Sequence, residues 1–252
     1  MKRLFHRPIA HRGLHSAAAG IIENSASAFE AAISAGYDIE CDVHLSSDNV
    51  PFIFHDDTLE RLTNAQGVSG DLSIAEVKAL ALHGSATGDV PQTLGEFLEQ
   101  VGGRTGLQIE LKQQPTRDRD ARLAQAVARI IEGYRGHLTV ESLDPHLIAL
   151  LRREGVKAPL GIVTYAYPVP NWDREDLTDF QKWTLRHLLH WPWSRFDFIS
   201  CHDGALTLPA IRLCRALGFE ITTWTIKSKR AARAALKRAD QIVFERYRPP
   251  SG

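Results

Sequence analysis

Five short stretches place acids, histidines and bases at the ends of apolar runs: His11-Arg12-Gly13, Glu23-Asn24, Glu40-Cys41-Asp42, His55-Asp56 and Glu110-Leu111-Lys112. Polar residues that close a strand otherwise built for burial are the pattern of a catalytic site. Side chains alternate faces along a strand, so Glu40 and Asp42 point one way together, as do Glu110 and Lys112. Glu40, Asp42 and Glu110 make an all-oxygen set of the kind that hard cations such as Mg²⁺ or Ca²⁺ select. No Cys/His cluster spaced for structural zinc accompanies them. The bland alternative is internal compensation, with Arg12 and Lys112 neutralising the three acids. Histidine is the side chain that changes charge near neutrality, so His11 and His55 suit proton transfer at both ends of a displacement. Arg12 and Lys112 have the charge to hold the non-bridging oxygens of a phosphoryl centre.

The elements that must position these residues are readable as alternating patterns. Extended runs occur at 8–13, 38–43, 107–112, 137–142, 159–165, 196–202, 220–226 and 240–245, and helical patterns fall between most of them. Ser25 and Asp144-Pro145 read as helix starts, and Gly36, Gly155 and Gly218 as helix stops. Eight β/α units in about 250 residues predict a (β/α)8 TIM barrel as a single domain over 1–252. A doubly wound sheet competes, but no glycine-rich dinucleotide fingerprint follows the first strand, and the candidate residues come from several strands. Asp48-Asn49 is a turn signal after the second strand. Read as a two-residue hairpin loop, it sets Ser47 against Val50, Leu45 against Phe52 and Asp42 against His55.

Composition narrows the function classes. Thirty basic and thirty acidic residues balance, so no global field recruits nucleic acid, and phosphate recognition must be local. Cys41, Cys201 and Cys214 each lie in or beside apolar stretches, which suits reduced thiols and a cytoplasmic protein. The N-terminus meets Pro8 and His11-Arg12 before any apolar core develops, so neither a signal peptide nor a transmembrane segment is predicted. The segment 165–196 holds four of the five tryptophans. It reads first as an ordinary helix, 176–189, burying its aromatics on the barrel, and second as a lid or lipid-contacting surface.

The succession HRG, EN, ExDVxLSxDxVPxxxHDxTLxRxT and IExK resembles the glycerophosphodiester phosphodiesterase family, most closely over Gly36 to Asn64, with weaker likeness through Asp144-Pro145 and Trp224-Thr225. The resemblance implies a TIM-barrel hydrolase that converts glycerophosphodiesters to sn-glycerol 3-phosphate and an alcohol with one bound divalent cation, Mg²⁺ or Ca²⁺. It assigns Glu40, Asp42 and Glu110 to the metal, His11 and His55 to acid and base, and Arg12 and Lys112 to phosphate. It also implies attack on phosphorus by the neighbouring glycerol 2-hydroxyl, through a cyclic phosphate that water opens. The chain departs from the family pattern at Ile22 and Ser25, and near its end at Gln241, Phe244 and Glu245, which border the mouth.

Other residues carry paired readings. Glu141 joins the metal shell or orients a base, or else it pairs with Arg152 or Arg153. Trp224 stacks on the glycerol or alcohol moiety, or lies in the core. His202 reads as a loop histidine and Lys227 to Lys237 as a solvated helix face. Two other functions stand beside the first: a phospholipase D-like hydrolase of lysophospholipids or sphingolipids, and a catalytically silent phosphodiester-binding barrel.

Overall fold

The computed structural model describes residues 3–167 and 177–251. Nine strands form one sheet: β1 (Ile9–Ala10), β2 (Asp38–Leu45), β3 (Pro51–Ile53), β4 (Leu107–Leu111), β5 (Leu138–Ser142), β6 (Leu160–Thr164), β7 (Phe198–His202), β8 (Glu220–Ile226) and β9 (Gln241–Phe244). All but β3 are parallel, and β1 pairs with both β2 and β9, which closes an eight-stranded barrel. The predicted TIM barrel is therefore the observed fold, with all eight expected strands in place.

Around it run α1 (Ala26–Ser34), α2 (Ile74–Lys78), α3 (Leu94–Val101), α4 (Arg117–Glu132), α5 (Pro145–Arg153), α6 (Asp179–Arg186), α7 (Trp191–Ser194), α8 (Pro209–Ala216) and α9 (Lys229–Ala235). Their starts follow capping chemistry. The side chains of Ser25 and Asp144 accept backbone N–H bonds as predicted, and Ser73 and Thr93 form reciprocal capping boxes with Glu76 and Glu96.

Alternation along the strands separates two environments. Ile39, Cys41 and Val43 of β2 and Ile109 and Leu111 of β4 lie in the main core with the helices' apolar faces. The intervening side chains face the barrel axis. Phe5, Ile9, Phe198 and Val243 plug the lower interior, and Gly161 of β6 has no side chain because the Phe198 ring fills its place: a Cβ there would lie 2.2 Å from the ring. The upper interior is polar.

β1 is only two residues long, so the upper edge of β2 is left open, and β3 pairs there antiparallel. The predicted register is off by one. Val43 faces Ile53, His44 faces Phe52 and Leu45 faces Pro51, so Asp42 lies opposite Phe54, whose N–H bonds its carbonyl, rather than His55. The cause is a three-residue loop, Ser47-Asp48-Asn49, closed by the Ser46–Val50 pair, with Asn49 left-handed at φ 64°.

The aromatic segment also departs from its first reading. Residues 168–176, which include Trp172, lie outside the described residues. Within α6 no residue is buried; Phe180 is 73% and Trp183 50% exposed, so this helix does not bury its aromatics on the barrel. Among the described residues, no helix is long and apolar enough to cross a membrane.

Candidate active site

Strand register sets the acids side by side at the barrel's upper end. Asp42 of β2 is level with Glu110 of β4, which is level with Glu141 of β5; Glu40 lies one inward step below, level with Gln108. Oxygens of Glu40, Asp42 and Glu110 all come within 4.8 Å of one another. They line a cavity of about 1030 Å³ shared with His11, Arg12, His55, Lys112, Glu141, Ser200 and Trp224. Every site residue expected from the sequence thus opens on one cavity.

The turn after β1 delivers His11 and Arg12. Arg12 and Gly13 are both left-handed, at φ 55° and 77°, and a Cβ on Gly13 would lie 2.8 Å from the Ala28 carbonyl carbon of α1. Only glycine lets the turn pack this closely. Arg12 then donates its backbone N–H to Glu40 Oε2 at 2.8 Å, its Nη1 to Glu23 at 2.6 Å, and sets Nε 3.2 Å from Asp42. Asn24, itself left-handed, donates to Asp42 Oδ2 at 2.9 Å. Lys112 Nζ bridges Asp42 and Glu110 at 2.7 Å each.

The carboxyls consequently differ in acidity. Burial alone pushes Asp42 up, but the charges of Lys112, His55 and Arg12 outweigh it and hold Asp42 well below the usual carboxylate range. Burial and the neighbouring charges of Asp42 and Glu110 push Glu40 well above it, and Arg12 offsets only part. Glu141 rises to about 8 through burial and the charge of Glu110, although Gln108 donates to it at 2.7 Å. Among the described residues it pairs with neither Arg152, which turns instead to the Arg195 carbonyl and Asp197, nor Arg153, so the reading of Glu141 as their partner is overturned.

Burial and crowding of like charge disfavour ionised Glu40, a penalty that a cation among the oxygens of Glu40, Asp42 and Glu110 would relieve, and their spacing suits a hard cation, whose oxygen ligands stand about 4–5 Å apart across the ion. The donor set fits a divalent cation.

Each histidine is backed by a carboxylate. His11 Nδ1 lies 2.9 Å from Glu245 Oε2, immediately after β9, and His55 Nδ1 lies 2.6 Å from Asp56 Oδ1. Asp56 and Glu23 are joined by Arg61, and the His55 carbonyl meets His44 Nε2 at 3.1 Å. Burial lowers the His11 pKa, Glu245 works against it, and Arg12 adds to the lowering. Trp224 donates Nε1–H to the Ser200 carbonyl and meets His202 edge-on, leaving it part core and part cavity wall. Sequence reading missed Arg61, His44 and Gln108, and saw Glu245 only as a departure. Its signal was the same as for the others: an acid closing an apolar strand, Gln241 to Glu245.

The model of the Glycerophosphoryl diester phosphodiesterase family matches residues 11–243, which span every site residue expected from the sequence and stop just short of Glu245. The chain belongs to that family. A glycerophosphodiester phosphodiesterase of Caldanaerobacter subterraneus subsp. tengcongensis is 36% identical over 110 residues, 41% of this chain and 44% of that protein. One from Bacillus altitudinis is 31% identical over 162 residues, 62% and 65% of the two. The chain spans about half the length of the first curated relatives it matches. An Oleispira antarctica phosphodiesterase, solved with the product sn-glycerol-3-phosphate, superposes with a TM-score of 0.77 at 22% identity over 94% of this chain and 91% of that one. At that identity the superposition carries the family's barrel fold alone.

Proposed function

We propose that this member of the glycerophosphoryl diester phosphodiesterase family hydrolyses glycerophosphodiesters to sn-glycerol 3-phosphate and an alcohol. The observation that carries the reading is the pair of carboxylate-backed imidazoles opening on one cavity with the acid triad and two cations. The product bound to the Oleispira relative supports the substrate class.

Glu40, Asp42 and Glu110 would hold one divalent cation, Mg²⁺ or Ca²⁺, which when bound supplies positive charge for the phosphoryl oxygens. Arg12 and Lys112 orient the non-bridging oxygens. With Nδ1 of each histidine tied to its acid, Nε2 is the nitrogen left to exchange protons with substrate. One imidazole takes the proton of the glycerol 2-hydroxyl as its oxygen attacks phosphorus, and the other protonates the departing alcohol. Both roles reverse when water opens the resulting cyclic phosphate. Trp224 offers a ring face to the glycerol or alcohol moiety, and Glu141 steadies the acid row. The three free thiols are in keeping with a cytoplasmic setting.

Release of glycerol 3-phosphate from glycerophosphocholine, -ethanolamine, -glycerol and -inositol tests the reading. His11→Ala and His55→Ala are each expected to lower kcat by about 10²–10⁴ with the fold retained, and an unchanged rate in either removes that histidine from proton transfer. A second reading, hydrolysis of lysophospholipids, draws on the exposed Phe180, Trp183, Trp191 and Trp193. Preference for intact lysophosphatidylcholine over glycerophosphocholine would select it.

A further inference from the structure

We propose that His11, His15 and Glu245 form a second metal site, suited to zinc-class ions, whose occupation arrests catalysis by withdrawing His11 from proton transfer. The arrest rests on the phosphodiesterase reading; the site itself does not.

Their ligand atoms lie within 4.8 Å of one another. Glu245 Oε2 is the common point, 2.9 Å from His11 Nδ1 and 3.8 Å from His15 Nε2. Donors on a tetrahedral ion with bonds near 2.0–2.1 Å stand about 3.3 Å apart, a spacing these two distances bracket, so small side-chain rotations complete the set. His15 Nε2 is buried, and Glu245 Oε2, at 3.8 Å, stands beyond hydrogen-bond distance from it. A bound ion would give this atom a direct partner in place of that carboxylate.

The backbone holds the three in place. His11 N–H bonds the Phe244 carbonyl, Glu245 N–H bonds Ile226, and Ser16 N–H bonds Ile21. Lys227 and Arg246 approach Glu245 at Oε1, at 3.0 and 3.3 Å, whereas both imidazoles face Oε2, so the two cations temper the affinity for an ion.

Two imidazoles and a carboxylate form a borderline-soft set that prefers Zn²⁺ or Co²⁺ to Mg²⁺ or Ca²⁺, whereas Glu40, Asp42 and Glu110 are hard oxygens. The two centres therefore sort ions by chemistry. Glu245 and His15 lie off the cavity wall that His11 lines, so the ion sits behind the imidazole. Metallated at Nδ1, His11 keeps a proton on Nε2 and cannot accept another.

Zn²⁺ and Co²⁺ titrations of the Mg²⁺-saturated protein test this. One Co²⁺ should give ligand-field absorption in the unaltered chain and in Glu110→Gln, but not in His15→Ala or His15→Gln of verified fold. Zinc should inhibit glycerophosphocholine hydrolysis, and the His15 variants, active without zinc, should require at least about tenfold more, the range set by a lost partner at a metal site. X-ray absorption of the zinc-loaded unaltered chain should count two imidazoles. An all-oxygen shell, a cobalt spectrum lost in Glu110→Gln but kept in His15→Ala, or equal zinc sensitivity would overturn the proposal. Failure of hydrolysis with the cobalt result intact would sink the functional reading and leave the site.

Discussion

At the scale of single residues, the chemistry comes from pairing rather than from residue type alone. Glu245 raises the pKa of His11 against burial, both by its hydrogen bond and by its charge. Glu245→Gln removes the charge and weakens the hydrogen bond, so on the proposed function the limb of the pH–rate profile that belongs to His11 should move to lower pH, whether it acts as acid or base. A pH–rate profile of glycerophosphocholine hydrolysis unchanged by the substitution would free Glu245 from that task. Glu23 makes a second test. Burial pushes its carboxyl up, but hydrogen bonds from Arg61 and the charge of Arg12 bring it down to about 2 from an ordinary 4.5. A carboxyl depressed in this way stabilises the fold above its ordinary pKa, and that contribution disappears as pH falls through the folded value. The difference corresponds to something on the order of 3 kcal/mol, trimmed by solvent at the half-exposed Arg61. Urea midpoints of Glu23→Gln should therefore be lower at pH 7 and depend less on pH between about 5 and 2 than those of the unaltered chain.

At the scale of elements, the site depends on where strands stop. β1 ends after two residues because the His11-Arg12-Gly13 turn leaves the sheet to lean on α1, and the edge it vacates is what β3 occupies. Gly13→Ala combines a left-handed alanine with a contact of 2.8 Å to the backbone of α1. A loss on the order of 3 kcal/mol is expected, read as a lower urea midpoint. Because Arg12 N–H anchors Glu40, cation affinity should fall with it; retention of both would show that the turn adapts. The hairpin illustrates the limit of local signals. Asp48-Asn49 correctly marks a reversal, yet loop length is decided by the left-handed Asn49 and by Ser46, whose hydroxyl accepts from Val50 N–H and donates to Asp48. That choice moves every cross-strand pair by one.

At the scale of the whole molecule, barrel closure gathers the acids and bases, and a cation held by Glu40, Asp42 and Glu110 would tie β2 to β4. Saturating Mg²⁺ or Ca²⁺ should raise the Tm, and a chelator should lower it and abolish glycerol 3-phosphate release; activity that survives chelation would contradict the carboxylate cation site. The order of strands and helices, the acids closing those strands and the family likeness could all be read along the chain, since each rests on residues a few positions apart: alternation, capping and contiguous motif. The His11–Glu245 pair, 234 positions apart, the level row of Asp42, Glu110 and Glu141, and the escape of α6 from the core could not. The pair and the level row arise only when β9 meets β1 and the strands settle into register, because closure and stagger are properties of the complete ring, to which no short stretch of sequence holds the key.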